Sequence, residues 1–234
     1  MAAIFWKEVK SYFYSPMAYI LIGLFILLTS IFFYPNLMYL SGSFNGVLST
    51  MGFILLFIIP ILTMRILAED RKNGTEVLLI TSPASITSIV LGKYLATCFV
   101  FLVMTVLTFI YPVILLAFGA TFTSQLIGGY IGFLLLGATF ISIGIFASSL
   151  TENQIIAVII SFVSLLVMWL ADSLGSMIGG VASKILNWFS LMSRYEDFNN
   201  GILGLSPVVY YLSFIAVFLF LTVRVIEKRR WSQG

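Results

Sequence analysis

Histidine is absent from this chain, cysteine occurs once, and charged residues make up only 9% of it. The first absence removes Ser-His and Cys-His dyads, HExxH zinc sites and histidine-ligated haem together. The single Cys98 lies in an apolar run with no second cysteine for a disulfide or a CxxC pair. The scarcity of charge is the most restrictive of the three, because a globular domain carries about 25%. Set against 61% hydrophobic residues and a mean hydropathy of +1.12, it leaves too little polar surface to clothe a water-soluble fold. The chain must be solvated by lipid. A net charge of +3 and a pI near 9.0 would suggest nucleic acid in a soluble domain. Here the basic residues gather at the ends of apolar runs, where membrane topology explains them and no nucleic-acid partner is needed.

Apolar stretches of about 20 residues predict six spans: Met17–Met38, Ser49–Leu67, Ile89–Phe118, Leu126–Leu150, Gln154–Ala171 and Pro207–Val225. The first is too long, and preceded by too mixed a segment, to read as a cleaved signal peptide. An even number of spans puts both termini on one side. On that side lie Lys7, Lys10, Arg65, Arg71, Lys72, Lys93, Arg224, Lys228, Arg229 and Arg230, ten of the twelve basic residues, and only Lys184 and Arg194 fall opposite. The positive-inside rule then makes both termini and the loop between spans two and three cytoplasmic, and the segment 172–206 external.

Before the first span, Phe5, Trp6, Val9, Tyr12 and Phe13 recur at three-to-four spacing while Lys7, Glu8, Lys10 and Ser11 take the other face. This predicts an amphipathic interfacial helix over residues 1–16, either a surface anchor or an elbow touching a cytoplasmic partner. Pro60 and Pro112 predict bends in spans two and three. Gly128 and Gly132 open span four with a GxxxG spacing, followed by Gly137, Ser142, Gly144, Ala147 and Ser148; helix packing within the chain and a dimer contact are both open. No duplication, low-complexity tract or soluble linker divides the chain, which reads as one domain over residues 1–234.

The cytoplasmic loop between spans two and three, over residues 68–88, is the most informative segment. It and the end of span two concentrate Arg65, Glu69, Asp70, Arg71, Lys72 and Glu76 within a chain poor in charge. Val77-Leu78-Leu79-Ile80 then turns apolar, Thr81-Ser82-Pro83 breaks the chain, and Gly92-Lys93 leads into span three, a pattern of surface helix, turn and re-entering segment. By composition alone the loop is either a contact surface or a solvated topogenic stretch.

The string Met64-Arg65, Ala68-Glu69, Arg71, Gly74-Thr75-Glu76, Leu78-Leu79, Pro83 and Gly92-Lys93 resembles the signature of ABC-2 type permeases in order and spacing. The resemblance continues at Ile145-Phe146-Ala147-Ser148-Ser149-Leu150-Thr151-Glu152-Asn153-Gln154, at Lys7-Glu8 and at Ser15-Pro16. Within that superfamily the chain is most similar to the gliding-motility-associated permeases, with nitrous-oxide-reductase maturation permeases as cousins. The resemblance implies an all-α polytopic fold of six transmembrane helices with an amphipathic elbow, in the ABC-2 (type V exporter-like) permease architecture, set in the bacterial plasma (inner) membrane. It implies no cofactor, and as partners an ABC ATP-binding subunit and a second permease copy or a paralogous membrane subunit with an external domain. It further implies that Glu69, Arg71, Gly74, Thr75 and Glu76 dock on the ATP-binding subunit, that Thr151, Glu152 and Asn153 are a secondary contact or a cap for span five, and that Trp6, Lys7 and Glu8 belong to the elbow.

The chain carries no ATPase motif of its own. A Walker A sequence needs glycine five residues before Gly92-Lys93, where Thr87 stands, and a Ser or Thr where Tyr94 stands. A secondary carrier or channel would place ionisable groups near the bilayer midplane, whereas the acidic residues here fall in loops or at span ends, Asp172 being nearest to an exception. A non-transporting scaffold that transmits force is a further alternative. The external segment mixes Lys184, Trp188, Phe189, Arg194 and Tyr195 between apolar stretches, as interfacial or re-entrant helices do, and reads as an anchor or a lid.

Overall fold

The computed structural model describes residues 1–38, 44–77, 84–119, 124–202 and 204–232, with the side chains of 45, 124, 181, 182, 185, 187 and 230–232 left aside. Leu78, Leu79 and Pro83 of the signature string lie outside the described residues. The fold is all helical: α1 (Ala2–Tyr14), α2 (Pro16–Met38), α3 (Asn45–Thr63), α4 (Arg65–Lys72), α5 (Ile86–Leu107), α6 (Ile110–Ala117), α7 (Ser124–Leu150), α8 (Gln154–Ile178), α9 (Gly180–Phe189), α10 (Leu191–Asn199) and α11 (Leu205–Ser232). Six stretches are long and apolar enough to cross a membrane, beginning at Pro16, Gly46, Ile86, Gln125, Gln154 and Leu205. The chain is an all-α polytopic membrane protein.

Local chemistry sets the breaks. Ser15 ends α1 because a residue before proline is pushed out of the helical region, and it sits at φ −89°, ψ 142°; Pro16 then starts α2, where its missing N–H is harmless. In the third span Pro112 cannot bond the Thr108 carbonyl four residues back. The span divides there, at Thr108–Phe109, and the Tyr130 hydroxyl from α7 donates to that carbonyl at 3.2 Å. Pro60, by contrast, lies inside α3, which runs on to Thr63. The second span breaks one turn later, at Met64, and continues as α4.

α7 is the centre of the bundle, packed against α3, α4, α5, α8, α10 and α11. It accommodates so many neighbours because its face is built of small residues. A methyl at Gly132 would stand 2.6 Å from Phe198 Cβ and one at Gly128 2.7 Å from the Phe198 carbonyl. The GxxxG pair is thus the seat of α10, a contact within the chain. Gly137 and Gly144 admit Phe101 of α5 and Thr63 of α3 in the same way. In contrast, α2, α8 and α11 are peripheral, with Leu27, Ile31, Ile159, Val163, Val217 and Phe220 exposed, as lipid-facing side chains are.

The fifth span extends beyond Ala171, since α8 continues through Asp172 to Ile178. Gly179 and Gly180, at φ 70° and 68°, turn the chain back, a backbone conformation glycine adopts without steric cost. α9 returns along α8, and Trp188 reaches the rings of Tyr210 and Phe214 on α11, each at 6.2 Å. Tyr211 donates to the Leu191 carbonyl at 2.7 Å. The segment therefore runs alongside the spans: α9 folds back on α8, and α10, seated on α7, is buried through Leu191, Tyr195 and Phe198.

Candidate functional site

At the other end of the bundle the charged residues meet. The first-loop helix starts at Arg65 rather than after Leu67, so α4 is the direct continuation of α3 beyond Met64. Ser148 of α7 sits in the break: its hydroxyl accepts from the Leu67 and Ala68 amides at 3.2 and 3.1 Å and donates to the Met64 carbonyl at 3.0 Å. A side chain inserted in a helix ladder is a recognised cause of a bend. This one also ties the bend to α7.

Lys93, on α5, is the most deeply placed charge. Its side chain is 1% exposed, and its Nζ lies 2.8 Å from Glu8 Oε1 of α1, 2.6 Å from Asp70 Oδ2 of α4 and 2.8 Å from the Ile66 carbonyl. The Asp70 contact is an ion pair rather than a well-directed hydrogen bond, since Oδ2 is otherwise unbonded. A buried ammonium is tolerable only when so surrounded. Tyr12 of α1 adds a bond to the Leu62 carbonyl at 2.8 Å, and burial pushes its hydroxyl above the ordinary phenol range. These groups line a polar cleft of about 210 Å³ between α1 and α4.

Each first-loop residue singled out by sequence has a partner within the chain, apart from Gly74. Glu69 takes Arg65 in a two-point pair, at 2.6 Å to Nε and 3.3 Å to Nη2. Arg71 meets Glu152 at 2.7 Å. Thr75 donates to Asp70 Oδ1 at 2.9 Å. Glu76 meets Arg229 of α11 at 3.2 Å, and that arginine also donates to the Ser149 carbonyl. Gly74, at φ 71°, makes the turn that ends α4, which frees Thr75 to reach back. Of the second loop, only Glu152 joins this network. Asn153 caps α8, its Oδ1 accepting from the Ile155 amide at 2.9 Å, and Thr151 accepts from the Asn153 amide at 3.1 Å. Of the elbow residues, Glu8 belongs to the Lys93 cluster, Lys7 touches Glu8 at 3.8 Å from an exposed position, and Trp6 is exposed with its ring edge-on to Phe5.

Sequence reasoning missed Asp70, Lys93, Ser148 and Arg229. A signal existed for Lys93, which stands two turns inside the apolar run of α5, where an ionisable side chain needs a partner. The others depend on contacts between distant segments.

The arrangement is a plate that joins α1, α4, α5, α7, α11 and the turn before α8. α4 is joined to α3 through the backbone, to α7 through Ser148 and to α1 and α5 through Lys93. The outward edge of the plate, Lys72, Asn73, Gly74 and Glu152, remains exposed. Among the described residues no group of three or more His, Cys, Asp or Glu is placed to hold a metal ion.

Comparison with known families matches residues 33–221 to the family described as ABC-2 family transporter protein. No curated protein matches the chain.

Proposed function

Since the chain belongs to the ABC-2 transporter family and is a permease component of an ABC transporter, we propose that it converts ATP hydrolysis by a separate ATP-binding subunit into movement of its spans. The observation that supports this most is the ion-paired plate, in which α4 is stiffened by Arg65–Glu69, braced against Glu152 and Lys93, and continuous with the second span. The ATP-binding subunit docks on the exposed edge at Lys72, Asn73, Gly74 and Glu152. Glu69, Arg71, Thr75 and Glu76 hold that edge rigid behind the contact.

In this reading the chain is a single domain with no ATPase activity of its own, and the plate faces the cytoplasm with both termini. The membrane is the bacterial inner membrane. A second permease copy, or a paralogous subunit with an external domain as in gliding-motility-type complexes, completes the assembly in the bilayer. The test is reconstitution with the ATP-binding subunit found by native co-purification. Permease-dependent stimulation of ATP hydrolysis is expected, and its loss when Asn73 and Gly74 are replaced by bulky residues. Robust, magnesium-dependent hydrolysis by the chain alone, or docking unaffected by those changes, would overturn the proposal.

A further inference from the structure

The end of the bundle away from the plate holds Lys184 and Arg194, and Arg194 differs from every other arginine whose side chain is described. Arg65, Arg71, Arg224 and Arg229 each pair with a carboxylate. Arg194 pairs with none among the described residues, although Glu196 and Asp197 follow it on α10. It flanks the face that buries Leu191, Tyr195 and Phe198, half-buried itself, and its Nε is closed to solvent without a hydrogen-bond partner. Its one described contact is the ring of Tyr210, 5.7 Å from Cζ. That ring is held in place, because the Tyr210 hydroxyl donates to the Trp188 carbonyl at 2.8 Å.

The Arg194 Nε is withdrawn from water without an acceptor, which is costly, and an ionisable group without a counter-charge inside a membrane protein marks a site by default. The ring beneath it holds its plane, and no carboxylate among the described residues takes its fork of N–H groups. A planar fork matches two oxygens of a phosphate better than any neutral acceptor. The depth suits that ligand: Trp188, whose ring meets the same Tyr210, is exposed, and tryptophan and tyrosine gather at the headgroup level of a bilayer. We propose that Arg194 binds a phosphate oxyanion at this end of the bundle, carried by a lipid headgroup of the adjoining leaflet or free in solution.

The test uses the full chain in detergent, stripped of lipid and titrated with phosphatidylglycerol while bound lipid is counted by native mass spectrometry. Wild type is expected to retain a phosphatidylglycerol that Arg194→Gln binds about tenfold more weakly, the scale of one lost charge-assisted bond. Lys184→Gln should match wild type. Should Arg194→Gln fail to fold, Arg194→Lys decides: it keeps the charge, loses the fork, and is expected to bind about threefold more weakly. Inorganic phosphate separates the sources, since displacement of the lipid identifies free phosphate as a ligand and its failure to displace identifies the headgroup. Equal affinity of wild type and the Arg194 variants, or an equal loss in Lys184→Gln, would overturn the proposal.

Discussion

Arg71 and Glu152 stand 2.7 Å apart, so the helix that ends the second span and the turn between the fourth and fifth form one surface. Both side chains are partly exposed, and a pair of this kind contributes at most about 1 kcal/mol to stability. If the proposed docking holds, the pair aligns that surface. Arg71→Glu and Glu152→Arg should each lower permease-stimulated ATP hydrolysis while leaving membrane abundance unchanged, and the double reversal should recover most of the loss. A double variant no better than the single ones would show that the pair does not align the surface.

Lys93 should behave differently, because removing it strands two carboxylates. Lys93→Met is expected to destabilise the protein by about 3 to 5 kcal/mol, the range for breaking a buried pair from one side. Adding Glu8→Gln and Asp70→Asn should restore much of that. Thermal unfolding in detergent reads both changes, and equal melting of wild type and Lys93→Met would contradict the burial described here.

Ser148→Ala removes three hydrogen bonds at the bend between α3 and α4. The amides of Leu67 and Ala68 should exchange with solvent deuterium faster, with a stability loss of about 1 to 3 kcal/mol for the unsatisfied groups. Unchanged protection at both amides would mean that the ladder closes without the serine.

Gly132→Ala places a methyl 2.6 Å from Phe198 Cβ, and overpacking of this kind costs about 1 to 3 kcal/mol. The substitution should loosen α10, seen as faster amide exchange over Leu191–Asn199. Gly23→Ala, where a methyl meets nothing within 4 Å, is the control and should leave α10 unaffected.

Topology can be tested with single cysteines in a Cys98→Ala background. A cysteine at Asn73 should resist a membrane-impermeant thiol reagent added from outside, and one at Asn199 should react. The reverse pattern would invert the orientation proposed for the plate.

The spans and the N-terminal helix were legible because apolar length and three-to-four spacing are properties of contiguous sequence. The division of the third span was half legible: Pro112 pointed to a bend, but its place at Thr108 follows from which carbonyl loses its amide donor four residues on. Gly128 and Gly132 announced a close helix approach without naming the partner, because a GxxxG face is the same whether it receives α10 or a second copy. The loop residues Glu69, Arg71, Thr75 and Glu76 stood out as polar groups in an apolar chain. That each is engaged by Arg65, Glu152, Asp70 or Arg229 depends on the folded bundle. Lys93 was counted with the topogenic charges because its burial arises only when α1 and α4 close over it.

The partners of Lys93 have a bearing on biogenesis. Glu8 and Asp70 both precede it in the chain, so at the moment the third span leaves the ribosome the carboxylates that neutralise its ammonium have already been synthesised. Ser148 likewise emerges after the Met64–Ala68 backbone it grips, and Arg229 after Glu76. The third, fourth and sixth spans each bring to the plate a polar group whose partners precede it in the chain.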